Sequence, residues 1–204
     1  MTAVRVYCPC MDDSVELNAG SIINDSISNP YAIYNGAPLD VSKTVCIIKL
    51  FEAGALCNNS QVSGGIALGQ STEGAILLAG IRLGVSDKRN IYRRLEEVPF
   101  SSETKMMEVR CVLSPGKEGR YLKGAVEVVM PRCSHYMNLD GFPIVLGTPL
   151  RESVMIQAAM MSREGLRVIC IASSHAPNET TLLGDVILKL SFLLHFDSRH
   201  YWNM

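Results

Sequence analysis

The sequence predicts an α+β domain in which an antiparallel β-sheet carries helices packed against it. Three observations predict it: strand and hairpin signals between Leu95 and Lys123, apolar strand runs at 166–173 and 180–188, and three helical patterns that flank them. A chain of 204 residues, 48% of them hydrophobic, is long enough for one well-packed core. Its 19 basic and 20 acidic residues leave a formal charge of −1, which excludes a general electrostatic grip on nucleic acid or an anionic membrane. Any cationic site must be local.

Thr2 to Tyr7 alternates and stops at a proline, as a short strand does. From Met11 to Pro38, Asn, Asp, Ser, Gly and Pro dominate, so this stretch reads as a mobile surface excursion with at most a small hairpin. Asp40 or Ser42 can cap a helix through Val45, Ile48, Leu50, Phe51 and Leu56. A second helix follows the glycine-punctuated turn at 63–65, with Ser71 or Thr72 as its cap and Ala75, Ile76, Leu77 and Ile81 as its apolar body. Glu73 falls in its first turn, where a carboxylate suits the helix dipole; facing a ligand's amino group is the competing role. Residues 87–94 are basic and read as a solvated helix face.

Leu95 to Phe100 reads as an edge strand broken by Pro99, and Ser101 to Thr104 as a turn. Lys105 to Leu113 alternates Met107, Val109, Cys111 and Leu113 against polar neighbours, the period of a half-buried strand. Arg120 to Lys123 returns as its hairpin partner. The pairing brings Lys123 beside Phe100 and Lys105, and an aromatic with two lysines can hold a flat, negatively tailed ligand such as ATP. Gly124 would let the backbone approach that ligand, and a short helix ends at Pro131. After a Gly- and Pro-rich loop at 137–149, Pro149 opens a helix to Arg163 with Val154, Ala158 and Met161 inward. Leu166 to Ala172 is a buried strand interrupted by Arg167, which either pairs with an acid or offers its donors to a phosphate.

The seven cysteines are odd in number and lack the spacing of a disulfide scaffold, so a reducing compartment is expected. Cys8-Pro9-Cys10 has no second Cys/His pair at zinc-ligand spacing, and no metal site is assigned. The four histidines lack the Ser or Cys context of a catalytic triad. The chain contains no apolar run of membrane-spanning length, ~20 residues, and no direct membrane contact is expected of it.

Five stretches carry a family resemblance: Lys49-Leu50-Phe51-Glu52-Ala53-Gly54 with Asn58-Asn59, Gly69 to Ala75, Val98 to Met107, Lys123 to Val129, and Gly165-Leu166-Arg167-Val168. In that order and spacing they resemble the nucleotide-binding domain of P-type ATPases, and most of all that of the secretory-pathway (Golgi) calcium pumps. The resemblance implies a twisted antiparallel sheet between helical layers. It implies that Phe100 stacks on adenine, that Glu73 contacts the adenine edge, that Lys105 and Lys123 line the pocket beside Gly124, and that Arg167 reaches the phosphates.

The family's phosphorylated aspartate lies in an Asp-Lys-Thr-Gly-Thr motif, which this chain lacks, so no catalytic residue is assigned. The resemblance therefore implies an ATP-binding domain that presents ATP, with Mg²⁺, to an aspartate elsewhere. Phosphorylation and actuator domains would be its partners in a cytosol-facing part of a Ca²⁺ pump, with Mn²⁺ as a second cation. By residue number the expectation is a strand at 1–10 entering from the phosphorylation domain, a nucleotide-binding domain at 11–187 with a flexible loop at 11–38, and a divergent, disordered tail at 188–204. The alternative is a truncated regulatory fragment with a vestigial pocket. Stacking and a few exposed charge contacts imply ATP dissociation constants on the order of 0.1–10 mM.

Overall fold

In the computed structural model the described residues are 1–11, 13–18, 31–115, 117–174 and 188–197, the last segment as backbone. The strands among them are β1 (Thr2–Tyr7), β2 (Val15–Leu17), β3 (Ala32–Tyr34), β4 (Ala37–Pro38), β5 (Gln61–Ser63), β6 (Ile66–Leu68), β7 (Arg93–Val98), β8 (Met106–Ser114), β9 (Lys117–Gly124), β10 (Cys133–Met137), β11 (Pro143–Val145), β12 (Arg167–Ser174) and β13 (Leu188–Asp197). The helices are α1 (Val45–Leu56), α2 (Ser71–Arg82), α3 (Val126–Val129) and α4 (Thr148–Arg163).

The main sheet runs β4-β3-β2-β1-β13-β12-β9-β8-β7, antiparallel at each step. β10 joins it by a parallel pairing with β13 and carries β11 as a hairpin. β5 and β6 form a separate hairpin.

Helices cover both faces, and alternation along the strands assigns the sides. Met107, Val109 and Cys111 on β8, Tyr121 on β9 and Ile171 on β12 pack with Leu50 and Phe51 of α1 and Ile76 of α2. Met106, Leu122, Cys170 and Ala172 point the other way, onto Val126 and Val129 of α3 and Val154, Ala158 and Met161 of α4. Odd-numbered positions of β8, β9 and β12 therefore face α1 and α2, because successive side chains on a strand take opposite sides. Of α4, the residues that the helical spacing turns inward are the ones buried.

The structure departs from the sequence reading at several points. The expected disordered tail from 188 is, as far as 197, the strand β13. It lies between β1 and β12, with Thr2 opposite Asp197 and Ile169 opposite Leu194. Residues 198–204 lie outside the described residues, as does most of the strand expected at 180–188. The flexible excursion at 11–38 contributes β2, β3 and β4, whose Val15, Leu17 and Ala32 are buried; residues 19–30 lie outside the description.

The expected solvated helix at 87–94 is a 3-10 turn, Lys88–Asn90, followed by the start of β7. Asp87 caps that turn by accepting from the Arg89 N–H at 2.9 Å. Asp40 caps the 3-10 turn Val41–Lys43 rather than α1 itself, and Gln70 rather than Ser71 occupies the N-cap position of α2. The loop expected at 137–149 folds largely into the β10–β11 hairpin.

Candidate functional site

Six residues singled out from the sequence, Glu73, Phe100, Lys105, Lys123, Gly124 and Arg167, line one cleft of about 340 Å³. Gln70, Thr72, Ala125, Val168 and Ile169 complete its wall. The cleft lies on the α1/α2 side of the sheet, where the parity of Lys123 and Arg167 puts them. Glu73 reaches it from the first turn of α2, and Phe100 from the end of edge strand β7.

The floor is a buried ion pair. Glu73 and Lys123 are each 5% exposed. The Lys123 ammonium donates to Glu73 Oε1 and, at 2.5 Å, to the Cys57 carbonyl. Glu73 Oε2 accepts from the Asn59 N–H at 2.9 Å and from Ser60 Oγ at 3.5 Å, while its backbone carbonyl accepts from Asn58 Nδ2. These contacts satisfy part of a carboxylate's four acceptor sites and two of an ammonium's three donors. One N–H of Lys123 and lone pairs of Glu73 remain for a ligand.

The pairing sets the electrostatics of the cleft floor. The charge of Lys123 is cancelled by Glu73, so the pair offers the cleft a donor beside an acceptor rather than a net positive charge. The remaining cations are Arg167 and Lys105. Arg167 is exposed and donates to Thr72 Oγ1 at 3.3 Å, and no acid among the described residues is paired with it. Lys105 lies 3.3 Å from Glu127 Oε1, with side chains 55% and 58% exposed, so solvent screens that pair.

Phe100 is 50% exposed, its ring left open to the cleft. A compact turn holds the segment that follows: Thr104 N–H donates to Ser101 Oγ at 3.0 Å and Lys105 N–H to the Ser101 carbonyl at 2.8 Å. Lys105 has φ +52°, a left-handed conformation uncommon for a residue with a side chain. The turn thus fixes where the lysine leaves the backbone.

Gly124, in the cleft wall, is also required by the strand pairing. A Cβ there would lie 2.4 Å from the Lys105 carbonyl oxygen and 2.8 Å from Met106 Cα. Its missing side chain admits strand β8. Gly124→Ala is expected to lower stability by about 1–3 kcal/mol and to displace the Lys105 turn. Urea unfolding and the amide spectrum of 101–106 check this, and an unchanged midpoint would contradict it.

Sequence reasoning missed Arg94 and Asn59. Arg94 donates to Asn59 Oδ1 at 2.6 Å, Glu97 Oε2 at 2.7 Å, and the Leu56 and Asn58 carbonyls at 2.9 Å each. It thereby ties β7, which leads to Phe100, to the segment that holds Glu73. Asn59 also donates to Glu97 Oε1 at 2.6 Å. The only sequence signal was the Asn58-Asn59 pair. Arg94→Met leaves carbonyls of the α1 terminus without their donor and is expected to cost about 1–3 kcal/mol. Chemical unfolding reads it, and a loss below 0.5 kcal/mol, about the size of an ordinary surface change, would show the tie to be incidental.

Comparison with known proteins shows the family of the chain. Residues 46–195 match the family model of the P-type ATPase cytoplasmic domain N. The chain is 38% identical over 142 residues to the human calcium-transporting ATPase type 2C member 2, covering 69% of this chain and 15% of that protein. It is 32% identical over 141 residues to human type 2C member 1, covering 68% and 15%. With calcium-transporting ATPase 1 of Schizosaccharomyces pombe it shares 33% over 155 residues, covering 72% and 17%. The chain thus spans about a sixth of the length of these relatives. Since the family match covers most of the sequence and takes in α2 to α4, β5 to β12 and the residues of the cleft, the chain belongs to the P-type ATPase cytoplasmic domain N family.

Proposed function

We propose that this chain is the ATP-binding domain of a P-type calcium-transporting ATPase of the secretory pathway, with Mn²⁺ as a second transported cation. The observation that carries the reading is the convergence of Glu73, Phe100, Lys105, Lys123 and Arg167 on one cleft. Adenine stacks on the open face of Phe100. Its edge presents an amino donor beside a ring-nitrogen acceptor, which complements the Glu73 carboxylate beside the spare Lys123 N–H. The triphosphate extends toward Arg167 and Lys105, the latter held only by a solvent-screened pair with Glu127, and Mg²⁺ arrives with it as its counter-ion.

Positioning and charge stabilisation are what phosphoryl transfer asks of a protein, together with an acceptor in line with the γ-phosphate. The residues here provide the first part only. The acceptor aspartate belongs to a phosphorylation domain, which with the actuator domain is the expected partner, on the cytosolic side of a Golgi membrane.

Titration with ATP, followed by amide chemical shifts, tests the reading. Perturbations should centre on Phe100, Lys105, Lys123 and Arg167 and saturate with a dissociation constant on the order of 0.1–10 mM. A flat titration to about 10 mM would overturn it in favour of a regulatory fragment with a vestigial pocket. Incubation with labelled ATP should leave this chain unphosphorylated; label incorporated by the chain alone would refute the division of labour.

A further inference from the structure

We propose that a second cavity, behind the wall that holds Glu73, binds the phosphate group of a small molecule, with Arg93 as its principal contact. That wall is Asn58, Asn59 and Ser60, each of which hydrogen-bonds to Glu73. The same three residues line a separate cavity of about 360 Å³, together with Arg89, Arg93 and Arg94. It shares no lining residue with the nucleotide cleft.

The basic run at 87–94 builds this cavity by folding as a 3-10 turn that leads into β7, with Arg89 on the turn and Arg93 and Arg94 opening the strand. The three guanidinium groups differ in how far they are already engaged. Arg94 donates to Asn59 Oδ1, Glu97 Oε2 and the Leu56 and Asn58 carbonyls, which takes four of its five N–H groups. Arg89 holds Asp87 through Nε and Nη2 and the Ser60 carbonyl through Nη1 at 2.7 Å, and two of its N–H groups are left. Arg93 is exposed and has no hydrogen-bond or ion-pair partner among the described residues.

The charges do not cancel as they do in the Glu73–Lys123 pair. Asp87 and Glu97 compensate Arg89 and Arg94, but nothing compensates Arg93. No acidic side chain among the described residues lines the cavity. An anion is therefore the ligand that the site calls for. The guanidinium fork fits both carboxylate and phosphate. More N–H groups remain on Arg93 and Arg89 than the two oxygens of a carboxylate can take up, and the three terminal oxygens of a phosphate match them better.

The wall is fixed before a ligand arrives. Ser60 N–H donates to Asn58 Oδ1 at 2.9 Å, while Arg94 and Arg89 hold the Asn58 and Ser60 carbonyls. A preformed site loses little in being ordered by its ligand. The volume falls in the range of small-molecule sites, ~300–1,000 Å³, which leaves room beside the phosphate for a small polar body.

Titration of the chain with inorganic phosphate tests the site, read by backbone amide and arginine Nε–H shifts at constant ionic strength. Signals of Gln61, Arg89, Tyr92 and Arg93, all in the lining, should move together and saturate with a dissociation constant on the order of 1–10 mM. The same concentration of chloride should leave them in place. Arg93→Gln should weaken phosphate binding here by roughly 10- to 150-fold, as the loss of hydrogen bonds to a charged group does. Its unfolding midpoint should stay that of the wild type, because Arg93 has no partner to lose. Phe100→Ala should leave these shifts unchanged, so the outcome is read apart from nucleotide binding. A titration flat to about 50 mM, equal shifts with chloride, or wild-type affinity in Arg93→Gln would each overturn the proposal.

Discussion

Phe100→Ala is expected to weaken ATP binding by about 5- to 150-fold, the equivalent of the ~1–3 kcal/mol that stacking a base on an aromatic contributes. The effect should be confined to binding. Phe100 is half-exposed and leaves the sheet just after the edge strand, so its loss opens no cavity. The unfolding midpoint should correspond to a change within about 0.5 kcal/mol. Calorimetric or amide-shift titration of the variant beside the wild type measures both quantities. An unchanged affinity would remove the aromatic from the site and leave the cleft as a place for anions alone.

Lys123→Met should have the largest effect on stability. It strands the Glu73 carboxylate at 5% exposure with only Asn59 and Ser60 to solvate it, and removing one partner of a buried pair costs about 3–5 kcal/mol. Small domains hold together by about 5–15 kcal/mol, so the variant should unfold at far lower urea. Glu73→Leu should fail in the same direction, leaving an unpaired ammonium. Combining the two removes both charges and should recover most of the lost stability, because buried pairs and apolar replacements of similar volume are often close in energy. The double variant should not recover ATP binding. If stability and affinity returned together, the pair would be serving the fold alone; if neither returned, its role in packing would exceed its charge.

The sequence revealed the parts of the site that depend on local pattern. An aromatic, a turn and a lysine lie within 100–105, and a hairpin brings back Lys123, so their meeting follows from strand pairing; Met107 opposite Lys123 is its register. The inward face of α4 was legible for a similar reason, since a 3.6-residue period needs no knowledge of what covers it.

Contacts between distant residues were not legible. Glu73 and Lys123 are 50 positions apart, and nothing in either's neighbourhood says that the other will neutralise it. Arg94 was read as a solvated charge because its partners are carbonyls 36 and 38 residues earlier, which no side-chain pattern announces. The segment after 188 was set aside because it diverges from the resemblance. Yet Leu188-Lys189-Leu190-Ser191-Phe192-Leu193-Leu194 is apolar enough to pair wherever a sheet offers open edges. β1 and β12 both offer one, since each needs a neighbour on that side to satisfy its backbone groups.

With β13 at the middle of the sheet, the strand synthesised after all the other described strands joins the β1–β4 half to the β12–β7 half. During vectorial synthesis the two halves would emerge each with an unsatisfied edge, sharing the α1 and α2 core but not joined by backbone pairing. The cooperative unit closes only when residues 188–197 have left the ribosome. Sheet completion then requires contacts spanning nearly the whole sequence, the topology associated with slow folding and a long exposure of strand edges.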